Sequence, residues 1–130
     1  MLPLLQVLAV APLAMLSQQS YVFQLSTSCG NRTVHGLWPQ WAEYCGGSFD
    51  VNAIAPLEAD LSTKWPSCVG DDNATAFHEH EWLKHGTCSD FDERTYFETA
   101  MRLYDKFRGI PGLRVCLSRG ALDPFTCAGD

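Results

Sequence analysis

The sequence predicts an α+β fold, because strand-forming segments stand toward both ends of the chain and helix-forming segments stand between them. Its 130 residues are enough for one compact core, and a hydrophobic share of 46% with a charged share of 18% is typical of a globular protein. We therefore expect one folded domain, over 18–130, behind an N-terminal segment of a different kind.

That segment, residues 2–16, is uncharged and mostly aliphatic, yet it is too short for a comfortable membrane span and is interrupted by Pro3 and Pro12. These features predict a secretory signal peptide over 1–17, with a buried N-terminal segment as the alternative. We expect a secreted, monomeric mature protein that does not associate with a membrane.

Six cysteines and two glycosylation sequons agree with export. Spacing alone does not fix the pairing of the cysteines, and no Cys-x-x-Cys pair indicates a structural zinc site. The sequons predict glycans on Asn31 and Asn73. The net charge of −6 excludes a non-specific nucleic-acid coat protein, which needs long-range attraction to a polyanion.

The sequence predicts three strands, over 21–25, 33–35 and 113–117. A turn signal over 29–31 separates the first two strands, and the third leads into a loop closed by Cys127. Between 39 and 68, glycines and prolines predict a long irregular or short-helical connection.

Residues 76–85 favour a helix that Gly86 can end. A second helix follows, where Asp90 with Glu93 resembles an N-terminal cap and apolar residues recur at intervals of three and four. We predict that these apolar residues form core: Phe97, Ala100, Met101, Tyr104 and Phe107.

Two short motifs carry candidate chemistry. In the first, His35 at the end of a strand candidate is followed by Gly36 and, three residues on, by Trp38. A lone histidine is more often a hydrogen-bonded structural residue, and a lone tryptophan is more often core.

The second motif covers 77–88, where residues four apart share a helix face. Glu81 lies beside His85 and His80 beside Lys84, with Phe77 one turn before them. We expect the Glu81 carboxylate to orient the His85 imidazole and to raise its pKa, while Lys84 and a charged His80 bind phosphate. A solvated, salt-bridged helix face is the alternative.

Histidine spacing argues against a metal site and, with it, against a zinc hydrolase. A metalloprotease helix places two histidines four residues apart, whereas His80 and His85 are five apart. We expect neither a metal nor another cofactor.

Together, HGLWP at 35–39 and FHEHEWLKHGTC at 77–88 resemble the two active-site segments of the ribonuclease T2 family, with a cysteine and the Trp65-Pro66 pair between them. The resemblance covers 21–107 well and implies an antiparallel sheet with helices packed on it. It implies an endoribonuclease that makes a 2′,3′-cyclic phosphate from single-stranded RNA and spares DNA, which has no 2′-OH. An acidic compartment, such as a vacuole or lysosome, agrees with the family and with the sequence pI of 5.0.

Each site residue receives a role from the resemblance. His85 matches the general base, His35 the general acid and Glu81 the supporting carboxylate. Lys84 and His80 match the groups that stabilise the phosphate charge. Trp38 and Phe77 match base-stacking residues at the two nucleotide subsites.

The resemblance also implies disulfides Cys45–Cys88 and Cys116–Cys127, and leaves Cys29 and Cys68 either to pair or to stay free. His78 departs from the family, which usually has a tryptophan there, and the chain is short between the second helix and the strand at 113–117. We expect that shortening to expose apolar surface and reduce stability. A weak or inactive RNA binder or decoy is therefore the alternative function.

Overall fold

The computed structural model describes residues 19–68, 70 and 73–129, so the signal peptide predicted over 1–17 lies outside the described residues. The described strands are β1 (Ser20–Ser26), β2 (Thr33–Pro39), β3 (Arg114–Ser118) and β4 (Pro124–Phe125). The described α-helices are α1 (Val51–Ile54), α2 (Glu58–Lys64), α3 (Ala74–Lys84) and α4 (Glu93–Phe107), and 3₁₀ turns cover Ala55–Leu57 and Gly86–Cys88.

The strands form one antiparallel sheet in the order β2-β1-β3-β4, which confirms the predicted α+β class. Alternation along β1 turns Tyr21, Phe23 and Leu25 toward the main core, because successive side chains of a strand point to opposite faces. Val22 faces the other way and packs with Cys116 in a smaller cluster.

Strand β2 is longer than predicted, and His35 lies within it rather than at its end. The strand continues because Leu37 pairs with Phe23 and Trp38 pairs with Val22, and it ends at a proline, which has no N–H to donate. The register pairs Gly36 with Gln24 but Val34 with Leu25, so His35 is the extra residue of a β-bulge. Bulges redirect a side chain, and here the redirected side chain is the imidazole.

Helix α3 begins two residues earlier than predicted, because the Asn73 side chain caps it by accepting a hydrogen bond from the Ala76 N–H at 2.8 Å. It ends at Lys84, and His85 is its C-terminal cap.

The predicted cap of α4 is wrong by two residues. Asp92, rather than Asp90, accepts a hydrogen bond from the Thr95 N–H at 2.8 Å. Asp90 instead accepts hydrogen bonds from the Tyr21 hydroxyl at 3.0 Å and from Arg119 at 2.8 Å, so tertiary contacts take the side chain that the local pattern had assigned to the helix.

Helix α4 packs over the sheet and forms much of the core, and all five of its predicted core residues are buried. The described residues between α4 and β3 do not present the large apolar face that we expected to be exposed. Among the described residues, the exposed large hydrophobic side chains are Tyr44, Val51 and Phe125, which belong to three separate segments. The expectation was wrong because Val115 and Leu117 of β3 join the same core as β1 and α4.

The structure contains the disulfides Cys29–Cys68, Cys45–Cys88 and Cys116–Cys127. Two of these pairs are those that the family resemblance implied, and the third joins the two cysteines whose state the sequence left open. None of the helices in the described ranges is long and apolar enough to cross a membrane.

Candidate active site

The centre of the site is the Glu81 side chain, which is 3% exposed and lies where the last turns of α3 face β2. Its Oε1 is 3.7 Å from His35 Nε2, and its Oε2 is 3.8 Å from His85 Nε2. One carboxyl group therefore lies between the two imidazoles that the sequence motifs singled out.

Trp38 connects the same three side chains. Its indole N–H donates a hydrogen bond to Glu81 Oε2 at 2.9 Å. Its ring stacks on His85 with centroids 5.3 Å apart, and meets His35 edge-on at 5.1 Å. The sequence predicted a base-stacking role for Trp38 and missed this hydrogen bond.

Gly36 allows β2 to approach α3 closely enough for these contacts. A Cβ at this position would lie 2.6 Å from Glu81 Oε2 and still closer to the indole nitrogen of Trp38. Since real Cβ atoms do not come so close to their neighbours, any larger residue would displace the Trp38 indole or the Glu81 carboxyl group from these contacts.

The loop after β2 is attached to the end of α3. The Tyr44 N–H donates to the Lys84 carbonyl at 2.8 Å, and the Cys45 N–H donates to Thr87 Oγ1 at 3.1 Å. The disulfide from Cys45 to Cys88 adds a covalent link at the same place. The loop after the first active-site motif is thus joined to the second motif just beyond Glu81.

A cavity of about 320 Å³ opens beside His35, and its lining includes Phe77, His80 and Glu81. The Phe77 ring lies 5.9 Å from the His35 ring, and His80 is exposed. Lys84 is half-buried, and its charge lowers the pKa of both Glu81 and His85. All seven side chains predicted to form the site are therefore neighbours in the fold.

The sequence profile of the Ribonuclease T2 family matches residues 16–118. This chain belongs to the ribonuclease T2 family. Ribonuclease MC from Momordica charantia is 40% identical over 105 residues, which are 71% of this chain and 54% of that protein. Ribonuclease Oy from Magallana gigas is 37% identical over 109 residues, which are 74% of this chain and 49% of that protein. The chain spans about half the length of these curated relatives.

Solved structures of the ribonuclease T2 family share the fold. Ribonuclease MC1 from bitter gourd seeds superimposes with a TM-score of 0.60 at 33% identity, covering 68% of this chain and 57% of that one. A mutant of RNase MC1 in complex with 5′-GMP gives a TM-score of 0.64 at 32% identity, covering 69% and 59% of the two chains. Human RNase T2 gives 0.71 at 19% identity, covering 83% and 90%, and supports the fold alone.

The expected pKa of His85 in this ribonuclease T2 site is wrong in direction. Burial, with smaller contributions from the positive charges of Lys84, His80 and His35, lowers this pKa to about 4. Glu81 does not offset them, because burial raises its own pKa to about 7 against the opposing effects of the Trp38 hydrogen bond and the Lys84 charge. A carboxyl group that is protonated in acid offers little negative charge to its neighbours.

The two histidines differ in exposure as well. The His35 side chain is 46% exposed, and its pKa is lowered from 6.5 by partial burial and by the charge of His80. The His85 side chain is 10% exposed. Its Nδ1 is buried without a hydrogen-bond partner in the part of the chain that the structure describes, while its Nε2 faces Glu81.

Two contacts behind the ribonuclease T2 site were also missed. The Trp65 indole N–H donates to the His35 carbonyl at 3.1 Å, and His78 Nε2 lies 2.7 Å from the Trp65 carbonyl oxygen. The Trp65-Pro66 pair did stand out in the sequence, but nothing in its spacing indicates a contact with His35. Across the described ranges, no three His, Cys, Asp or Glu side chains are grouped so that they could hold a metal ion.

Proposed function

We propose that this chain is an endoribonuclease that cleaves single-stranded RNA by transphosphorylation, with His85 as the general base, His35 as the general acid and no metal ion. The observation that carries the proposal is the position of Glu81 between one buried and one open imidazole. Membership of the ribonuclease T2 family, and matches to ribonuclease MC and ribonuclease Oy in particular, support it.

His85 suits the base because its low pKa, about 4, keeps it neutral over most of the pH range. A neutral Nε2 accepts the proton of a ribose 2′-OH, and the oxygen then attacks the adjacent phosphorus. DNA is not cleaved in this scheme, because it has no 2′-OH to serve as the nucleophile.

His35 suits the acid because its side chain is 46% exposed and can take up a proton from solvent. It donates that proton to the 5′-oxygen as the P–O bond breaks, and a 2′,3′-cyclic phosphate remains on the upstream fragment. His35 is then recharged from water, to which its side chain is open.

Glu81 is protonated below neutral pH, since its pKa is about 7. Oε2 accepts the Trp38 N–H, so the proton belongs on Oε1, the oxygen that faces His35. A neutral carboxyl group in this position donates a hydrogen bond to a phosphate oxygen. Lys84 and His80 supply positive charge to the same group as its negative charge grows in the transition state.

The aromatic side chains serve as base platforms in this proposal. Phe77 lies in the wall of the cavity beside His35, and Trp38, which stacks on His85, marks the other side of the scissile phosphate. Stacking accepts any base, so we expect weak sequence preference. A mutant of the relative RNase MC1 has been solved in complex with 5′-GMP, which agrees with a nucleotide-binding surface in this fold.

A DNA oligonucleotide that contains a single ribonucleotide tests the proposal. We expect one cut, 3′ to the ribonucleotide, with a cyclic phosphate detectable by ³¹P NMR and no loss of rate in EDTA. His85→Ala should lower the rate by roughly 10²- to 10⁴-fold, the usual contribution of a general base. Arg94→Ala, which removes an exposed ion pair with Glu98, is the matched control and should cleave normally.

Each other result points to a different function. A folded chain that binds RNA without cutting it would replace the proposal with the decoy function. Cleavage that EDTA abolishes would replace it with metal-dependent hydrolysis.

We also propose that the mature chain, from about residue 18 by analogy with secreted precursors, is a secreted, glycosylated monomer. Asn31 and Asn73 are both exposed. The cap of α3 uses Asn73 Oδ1 and not the side-chain nitrogen, which is the atom that carries a glycan. Thr75→Ala removes this sequon without touching the cap, and it should abolish one glycosidase-sensitive band shift in protein secreted from eukaryotic cells. An unchanged shift would exclude glycosylation at Asn73.

A further inference from the structure

Two buried aromatic side chains behind His35 have no part in the proposed chemistry. Trp65 is fully buried and His78 is 5% exposed, so neither side chain is available to an RNA strand. Trp65 follows the last residue of α2, and His78 lies on the first half of α3, one turn before Glu81.

The backbone of His35 needs support from outside the sheet. His35 is the bulged residue of β2, so the register gives it no partner on β1, and β2 is the outermost strand on its side of the described sheet. A bulge locally disrupts the ladder of hydrogen bonds, so the backbone there depends more on other contacts. The Trp65 indole N–H meets the His35 carbonyl at 3.1 Å and fixes the peptide group at this point.

Trp65 is itself held rigidly. Its ring packs against Phe97 at 5.1 Å and against Tyr96 at 6.2 Å between centroids. His78 meets the ring edge-on at 5.6 Å and bonds to the Trp65 carbonyl at 2.7 Å, which requires a proton on His78 Nε2. Both the side chain and the main chain of Trp65 are therefore fixed.

We propose that Trp65 and His78 are positioning residues, which hold the bulge of β2 so that His35 faces Glu81 and the scissile phosphate. The inference rests on the function proposed above, in which His35 is the general acid. His78 holds Trp65, and Trp65 holds the peptide carbonyl of His35. Neither touches the substrate, so their loss should slow the reaction without weakening RNA binding.

Replacement of single donors tests this arrangement. Trp65→Phe keeps a ring but loses the N–H, and should lower kcat by about 10- to 100-fold with KM changed less than about twofold, because small misplacement of a catalytic group is costly. His78→Phe should give a smaller loss of the same kind. His78→Gln restores a donor toward the Trp65 carbonyl and should recover most of the rate.

Tyr104→Phe is the matched control. The Tyr104 hydroxyl donates to the Arg32 carbonyl at 3.0 Å, so the variant also loses one aromatic donor to the backbone near β2, but not at the bulge. We expect kcat and KM close to those of the unaltered chain. A loss of kcat as large as that of Trp65→Phe would show general strand loosening instead and would overturn the proposal.

An NMR titration of His35 separates this inference from the proposed function, because it needs no cleavage. Burial lowers the pKa of His35, so release of the bulge should raise it toward 6.5 in Trp65→Phe and leave it unchanged in Tyr104→Phe. If the unaltered chain does not cleave RNA, the proposed function fails. The change in the His35 pKa still tests whether Trp65 positions His35.

An unchanged His35 titration in folded Trp65→Phe overturns the positioning proposal. If Trp65→Phe does not fold, His78→Phe and His78→Gln give the same test, since both keep the Trp65 ring. Equal His35 titrations in those two variants would then overturn it.

Discussion

His85 and His35 are the same side chain in opposite settings. His85 caps the end of α3 and is 10% exposed, whereas His35 stands on a bulge of β2 and is 46% exposed. Burial and three positive neighbours lower the pKa of His85 to about 4, while the lowering at His35 comes from partial burial and from His80. In the proposed mechanism, the fold therefore distinguishes the acid from the base by how deeply each histidine is buried, not by residue type.

Glu81 makes this division possible because it contacts both histidines without neutralising either. A carboxylate that was ionised at acidic pH would raise the pKa of both imidazoles together and reduce the difference between them. Since burial raises the pKa of Glu81 to about 7, the proposed mechanism uses this carboxyl group at acidic pH as a neutral hydrogen-bond donor between the two histidines.

The largest effect should come from crowding the contact between β2 and α3. Gly36→Ala places a Cβ 2.6 Å from Glu81 Oε2 and still closer to Trp38 Nε1, so the indole and the carboxyl group must shift. We expect about 1–3 kcal/mol of lost stability from overpacking, and a loss of roughly 100-fold in kcat/KM from misplacement of His35 relative to Glu81. Thermal melting and dinucleotide cleavage measure the two losses.

Gly109→Ala is the control for Gly36→Ala. A Cβ at Gly109 meets no atom within 4 Å, and its backbone is not in the left-handed region, so this variant should melt and cleave like the unaltered chain. Normal cleavage by Gly36→Ala would mean that the close approach of β2 to α3 is not needed for catalysis.

Much of this site follows from local rules of sequence. Glu81 and His85 share a face because helical residues four apart do, and the 39–68 connection contains short helices as its composition indicates. The apolar spacing from Phe97 to Phe107 likewise predicted the buried face of α4.

Other features depend on contacts between distant segments. The bulge at His35 arises from its register with β1, and Asp90 leaves the cap of α4 because Tyr21 and Arg119 bind it. The predicted direction of the His85 pKa shift was wrong because a sequence shows which charges lie nearby but not how deeply a side chain is buried. These features depend on contacts that form only in the folded protein, so no local sequence pattern predicts them.

A smaller effect is expected on the pH dependence of kcat/KM, which should distinguish the roles of the two histidines. The base must be unprotonated and the acid protonated, so kcat/KM should rise with pH through about 4 and fall through the pKa of His35, below 6.5. Lys84→Ala removes a charge that lowers the pKa of His85, so the acid limb should move to higher pH while the alkaline limb stays.

Full pH profiles of kcat/KM measure both limbs. Lys106→Ala, on the far part of α4, is the control and should move neither limb. A shift of the alkaline limb in Lys84→Ala would contradict the assignment of His35 as the acid, whereas an acid limb that does not move would contradict His85 as the base.

The smallest catalytic effect is expected from the Cys116–Cys127 disulfide, which closes a loop with a sequence separation of 11 on the other face of the sheet. Replacing both cysteines with alanine should cost about 2–3 kcal/mol of stability, measured by urea unfolding, and leave both pH limbs in place. The matched removal of Cys45–Cys88 should also lower kcat, because that bond joins the loop after β2 to the end of α3. Equal losses of activity in the two double variants would mean that both disulfides act on the site only through global stability. The burial of His85 would then not depend on the Cys45–Cys88 disulfide.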